Sequence, residues 1–199
     1  MIPIPIILLA AGNSSRMGGK DKLLLPVDGQ PLLRRSALIA RIAAPVIVAL
    51  PPSPHPRHDA LEGLDVHKIE VPDASEGMNA SLRGALMHVP PGSPAAMILL
   101  ADLPEITTAD LESVLESVQT NPDKLIWRGA TAAGKPGHPV VFDRSLFDRL
   151  SQLTGDAGAQ AIVRAFSDKV HLQPLPEQNA LMDIDTPADW AAWKANRRS

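Results

Sequence analysis

The sequence predicts an α/β fold built on a doubly wound, mostly parallel (mixed) sheet. Three observations carry this. Short apolar runs rich in Ile, Val and Leu recur along the chain, helical stripes lie between them, and the first run opens directly into a small, glycine-bearing loop. Strands covered by helices on both faces read as continuous apolar runs rather than alternating ones.

The elements follow in order. Ile4–Leu9 reads as a buried first strand, Val46–Leu50 as the second, Val66–Val71 as the third and Ala96–Leu100 as the fourth. Leu125–Trp127, Val140–Phe142 and Val170–Pro174 are shorter and less regular, which predicts an antiparallel insertion in the later part of the sheet. Met78, Leu82, Ala85, Leu86 and Val89 share one helical face, as do Leu111, Val114, Leu115 and Val118, and then Leu146, Phe147, Leu150 and Leu153. Asp156 is the expected cap of a further helix. Thr186-Pro187-Ala188-Asp189 supplies a cap, a proline at the first turn and an acid near the positive helix end. Trp190 and Trp193 are expected to dock that last helix. The Pro51–Pro56 stretch reads as a connection only.

Composition narrows the function. A chain of 199 residues, 45% hydrophobic and 21% charged, suits one domain spanning residues 1–199 with a sizeable core. A net charge of −3 leaves no electrostatic footprint for nucleic acid. Cysteine is absent, which excludes disulfides, a thiol nucleophile and thiolate metal sites, and suits a reducing compartment. The apolar N-terminus lacks a positive region and carries Pro3 and Pro5, so it does not read as a signal peptide, and no apolar run reaches membrane-spanning length. The expectation is a cytoplasmic protein. No Gly-x-Ser-x-Gly elbow is present, and His55 and His58 lack zinc partners.

The segment Leu9 to Leu24 carries the chemistry. It sets glycines and small residues beside Arg16, Lys20 and Lys22. Such a loop brings backbone N–H groups and cations against a polyphosphate. It is neither a Walker A loop, since five residues separate Gly12 from Gly18 and Asp21 follows Lys20, nor a dinucleotide fingerprint, since Ser14 stands where the second glycine belongs. A solvated glycine-rich turn is the structural alternative.

Ligands in doubly wound sheets sit beyond the carboxyl ends of the strands. Asp102 ends an apolar run, where a carboxylate is costly unless paired or metal-bound; it is a candidate Mg²⁺ ligand or a turn cap. Asp183 and Asp185 precede the last helix, and their alternation points them to opposite sides of an extended segment; Asp185 is the preferred second ligand. Gly77 opens a helix whose free N–H groups and Ser81 suit a nucleotide. Lys135 and His138 flank a turn that can shape an acceptor site, although a histidine there is more often a turn residue.

Taken together these residues resemble the MobA-like NTP transferases, and most closely the molybdenum cofactor cytidylyltransferases. The resemblance rests on Leu9 through Gly18 with Lys22-Leu23-Leu24, on Glu76 to Leu82, on Ala101-Asp102-Leu103-Pro104, on Gly137 to Val140, on Gly155 to Gln160 and on Asp183 to Pro187. It implies a Rossmann-like, nucleotide-diphospho-sugar transferase-like fold. It further implies a nucleotide site at Leu9, Ala10, Ala11, Gly12, Ser14, Gly77 and Ser81, with Arg16 and Lys22 on the phosphates and Asp102 on Mg²⁺. Ala10-Ala11-Gly12 resembles the CTP users, whereas guanylyl enzymes tend toward Ala-Gly-Gly. Ala101 and Gln160 depart from a family glycine and arginine, the latter touching acceptor identity.

The expected reaction is Mg²⁺-dependent transfer of CMP from CTP to the phosphate of the molybdopterin cofactor, with release of pyrophosphate and a molybdoenzyme or chaperone as possible partner. The alternatives are the same chemistry with GTP or another phosphorylated acceptor, and a non-catalytic carrier of nucleotide or cofactor.

Overall fold

The computed structural model describes residues 3–74, 77–153 and 159–197. Glu76, Gly155 and the expected cap Asp156 lie outside the described residues. In chain order the elements are β1 (Ile6–Leu9), β2 (Pro26–Val27), β3 (Gln30–Pro31), α1 (Leu32–Ala43), β4 (Val46–Leu50), α2 (Pro56–Ala60), β5 (His67–Glu70) and α3 (Met78–Leu86). They continue with β6 (Ala95–Leu100), α4 (Thr108–Thr120), β7 (Ile126–Ala130), β8 (Pro136–Asp143), α5 (Phe147–Ser151), α6 (Gln160–Ala165), β9 (Val170–Pro174) and α7 (Pro187–Asn196).

Seven strands form one sheet in the order β5-β4-β1-β6-β8-β7-β9. The chain winds outward from β1 through β4 to β5, then crosses back to β6 on the other side of β1, and all these pairings are parallel. β8 is the antiparallel insertion, pairing with β6 and β7. The winding direction therefore reverses between β1 and β6, and the connections leaving their carboxyl ends diverge to open a crevice there.

Burial explains the unbroken apolar runs. Along β1, Ile6 and Leu8 face one core, while Ile7 and Leu9 face the other. β4 and β6 divide in the same way, Val48 and Leu99 on the first side, Ala49 and Ile98 on the second. Leu33 of α1, Leu111 of α4 and Trp193 of α7 fill the first core; Leu82 of α3, Leu150 of α5 and Ile162 of α6 fill the second. Each Val, Leu or Ile side chain so removed from water contributes about 1.5–3 kcal/mol.

Several expectations need adjustment. α1 has no counterpart among the expected helices; it buries Leu32 and Leu33 at its start and the small Ser36, Ala37 and Ala40 beyond. The β2–β3 hairpin turns on Asp28 and Gly29, both at positive φ, the Asp-Gly signature of a tight hairpin. β7 and β8 outrun the apolar triplets expected of them, because strand pairing continues through polar Arg128 and through Gly137 and His138. The Pro51–Pro56 stretch is more than a connection. His55 caps α2 by accepting the Arg57 N–H, and α2 carries a buried arginine, Arg57. Thr186 and Asp189 form a reciprocal capping box at the start of α7, with Pro187 in the first turn.

Candidate active site

β1 delivers Leu9, Ala10 and Gly12 to the switch point, and the loop then turns through Ser15–Met17 and Lys22–Leu24. β6 delivers Asp102 from the other side of the crevice. The segment before α7 closes the floor: the Ile184 N–H donates to the Asp102 carbonyl at 3.1 Å, and Ile184 is fully buried. Asp183 and Asp185 flank this anchor, and both line the same cavity. The expectation that they face opposite sides is overturned, because residues 183–185 are not a strand and period-two alternation does not apply.

The cavity holds about 630 Å³ and is lined by the first loop, Gly77, Met78 and Ser81 of α3, and the three aspartates. Lys22 lines it as well. Its ammonium donates to Asp102 Oδ2 at 2.6 Å and to Asp185 Oδ1 at 2.7 Å, and Arg16 reaches Asp185 Oδ2 at 2.9 Å. Burial works to lower the Lys22 pKa, but the two carboxylates outweigh it and leave it above the ordinary lysine value. Burial raises the Asp183 pKa, and the neighbouring Asp185 and Asp102 charges add to the rise. Asp102 Oδ1 is buried with no hydrogen-bond partner.

That orphaned oxygen is the observation against which a metal is tested. A carboxylate oxygen left without a donor suits a hard cation. Among the described residues no three acidic or histidine side chains converge as a ready metal cage. The donor set therefore fits an ion of the Mg²⁺ type, which takes one or two carboxylates and completes its shell with phosphate and water oxygens.

Behind the loop lies a residue that sequence reasoning missed. Arg57 is 3% exposed. Its Nη1 donates to the carbonyls of Ala10 at 2.7 Å and Gly12 at 2.9 Å, and its Nε and Nη2 grip Asp21 at 2.7 and 2.9 Å. Burial works to raise the Asp21 pKa, but the Arg57 guanidinium overcomes it and holds the carboxyl below its usual value. The only sequence signal is an arginine at the start of a short helix in a proline-rich stretch, which points nowhere by itself.

Ser14 and Ala11, expected at the nucleotide, have a different place. The Ser14 hydroxyl accepts the Lys22 N–H at 3.1 Å and donates to Asp21 at 3.3 Å, so it is used inside the loop. The Ala11 side chain packs into the second core. A smaller adjoining cavity of about 240 Å³ shares Leu9 and Met78 with the first and brings Arg128, His138 and Gln160 to largely apolar walls. Burial, reinforced by the Arg128 charge, pushes the His138 pKa down to about 4, so its ring is neutral near pH 7. Lys135 is not gathered there: the hairpin bond from the Thr131 N–H to the Lys135 carbonyl leaves its side chain exposed, and it lines neither cavity.

A crevice at the switch point, walled by an open glycine loop and holding a lysine between carboxylates, fits what the relatives show, and in class the chain is a nucleotidyltransferase. The MobA-like NTP transferase domain model matches residues 6–171, and the chain belongs to that family. A relative from Natronomonas pharaonis, named probable molybdenum cofactor guanylyltransferase, is 33% identical over 92% of this chain and 93% of its own length. One of the same name from Synechococcus elongatus is 29% identical over 93% and 95%. Among solved structures, Rv0371c from Mycobacterium tuberculosis H37Rv superposes with a TM-score of 0.80 at 31% identity, covering 96% of this chain and 98% of that one. The same protein has been solved in complex with manganese, at 29% identity, a TM-score of 0.76 and coverage of 96% and 97%.

Proposed function

We propose that this chain transfers a nucleoside monophosphate from a nucleoside triphosphate to the terminal phosphate of the molybdopterin cofactor, with GTP as the donor. The observation that carries the reading is the Lys22 ammonium held between Asp102 and Asp185 at the mouth of the glycine loop. Two polyanions have to meet there, and cations and free N–H groups are what lets them.

The acceptor phosphate is already ionised and needs no protein base. One of its oxygens forms a bond to the α-phosphorus, the bond from that phosphorus to the bridging oxygen breaks, and pyrophosphate leaves with the electron pair. Arg16 and Lys22 offset its charge. Gly12 and Gly77 let backbone approach the nucleotide, Leu9 and Ala10 line its cavity, and Ser81 is a hydrogen-bonding group for the base. Asp102 and Asp185 would hold Mg²⁺, which when bound supplies neutralisation of phosphate charge. His138 and Arg128, in the adjoining cavity, face the acceptor. The product is one that a molybdoenzyme or its chaperone would receive.

The names of the relatives support GTP. Ala10-Ala11-Gly12 supports CTP as a second reading. Because the Ala11 side chain lies in the core, its influence on the base would pass through the backbone of the loop. The test is pyrophosphate release with Mg²⁺ and molybdenum-loaded pterin cofactor, comparing GTP, CTP, ATP and UTP. Release with GTP alone supports the reading; release with CTP alone replaces the donor and keeps the chemistry. No release with any nucleotide, from protein that binds one, refutes the acceptor.

A further inference from the structure

We infer that Arg57 is a positioning residue that sets the triphosphate loop in its binding shape from behind. The inference rests on the loop being the nucleotide site and deepens that reading. One guanidinium holds both ends of the loop. At the β1 end it takes the carbonyls of Ala10 and Gly12, turning these acceptors toward the buried side rather than toward an incoming anion. At the far end it grips both oxygens of Asp21. Asp21 accepts the Leu23 N–H at 3.0 Å, and Ser14 accepts the Lys22 N–H at 3.1 Å while its oxygen lies 3.4 Å from Arg57 Nη2. The backbone that carries Lys22 is therefore fixed by bonds that trace back to Arg57.

The arrangement has two consequences for an anion. Carbonyl oxygens facing a triphosphate would repel it, and Arg57 keeps two of them occupied. A planar fork with five donors can meet two carbonyls and a carboxylate together, which a lysine ammonium with three donors on a flexible stem cannot reproduce. Arg57 does not line the cavity. It acts through Lys22 and the loop backbone.

The experiment measures binding of GTP and of CTP by calorimetry to wild type, Arg57→Lys and the charge-balanced double variant Arg57→Met with Asp21→Asn, with far-UV circular dichroism and melting to confirm folding. The double variant removes both partners together, so no lone buried charge is left to unfold it. The expected result is weaker triphosphate binding in both variants, by roughly ten- to a hundred-fold, the scale on which loss of an outer supporting partner weakens an ion site. The KM for nucleotide rises in step while the KM for acceptor stays at the wild-type value. A merely structural arginine would lower the melting temperature and leave that split unmoved. Wild-type affinity in the folded double variant would overturn the inference and leave nucleotidyl transfer standing; failure of the wild type to bind any nucleoside triphosphate would overturn both.

Discussion

Lys22 joins the end of β6 to the segment before α7: its ammonium lies 2.6 Å from Asp102 Oδ2 and 2.7 Å from Asp185 Oδ1. The two acids are far apart in sequence, and this cation is what allows them to face one cavity. Replacing Lys22 with Met leaves Asp102 without its counter-charge and Asp185 with Arg16 alone. A loss of about 2 kcal/mol in unfolding free energy is expected, in the range for removal of a hydrogen-bonded charge partner. Added Mn²⁺ or Mg²⁺ should then raise the melting temperature of the variant more than that of wild type, because Asp102 is free to take a cation and Asp185 has one competitor fewer. An equal shift in both proteins would show that Lys22 does not compete for them. The raised Lys22 pKa sets the alkaline limit: its stabilisation is complete below the ordinary 10.5 and is lost as pH climbs through the higher folded value.

Asp102 places one oxygen on Lys22 and buries the other without a partner. Asp102→Ala removes a costly buried acceptor from the fold while taking away the preferred cation ligand. Turnover should fall by about 10²–10³, the loss typical when a group stabilising transition-state charge is deleted, with the circular dichroism spectrum preserved. Wild-type turnover in the purified variant would remove Asp102 from the chemistry.

His138 gives a pH signature. Its folded pKa of about 4 lies below the ordinary 6.5, so between these values the unfolded chain binds a proton that the folded chain does not. Stability from this group is full above pH 6.5 and is lost as pH falls toward 4. Urea unfolding of wild type and His138→Asn across that range should show the wild type losing more stability in acid. Parallel curves would place the acid sensitivity elsewhere.

How legible this was from sequence depends on what kind of interaction decided each part. β4 and β9 match their apolar runs at both ends; β4 does so as a run buried on two faces, whereas β9 is a partly exposed edge strand. The antiparallel insertion was visible as weaker, polar-interrupted strands. α1 is not: its large buried residues, Leu32 and Leu33, are adjacent at its start, and its later buried positions, Ser36, Ala37 and Ala40, are small. Lys22, Asp102 and Asp185 are nameable because a cation in a glycine-bearing loop, an acid ending an apolar run and an acid before a helix cap each stand out against their neighbours. Arg57 is not, because two of its partners are backbone carbonyls, which no side-chain pattern records, and Asp21 lies 36 residues away in the chain. Asp183 escapes for a related reason: strand alternation does not hold in a segment anchored by the buried Ile184 and its bond to the Asp102 carbonyl.

Gly137 shows how closely that segment is fitted to the sheet. A Cβ built on it would lie 2.0 Å from the Ala180 carbonyl oxygen, which also accepts the His138 N–H at 2.8 Å. Backbone has to move to admit a methyl group there, and the chain that moves leads within a few residues to Asp183 and Asp185. Gly137→Ala should cost about 1–3 kcal/mol, as overpacking does, and should reduce turnover by more than the stability loss explains. Gly84 is the control. It lies inside α3, where a Cβ meets only Val71 Cγ2 at 3.6 Å, and Gly84→Ala should be neutral or stabilising by up to about 1 kcal/mol. Denaturant unfolding and pyrophosphate release, measured on both variants, separate the outcomes. If Gly137→Ala loses stability but keeps full turnover, the 180–185 segment is not what positions the carboxylates.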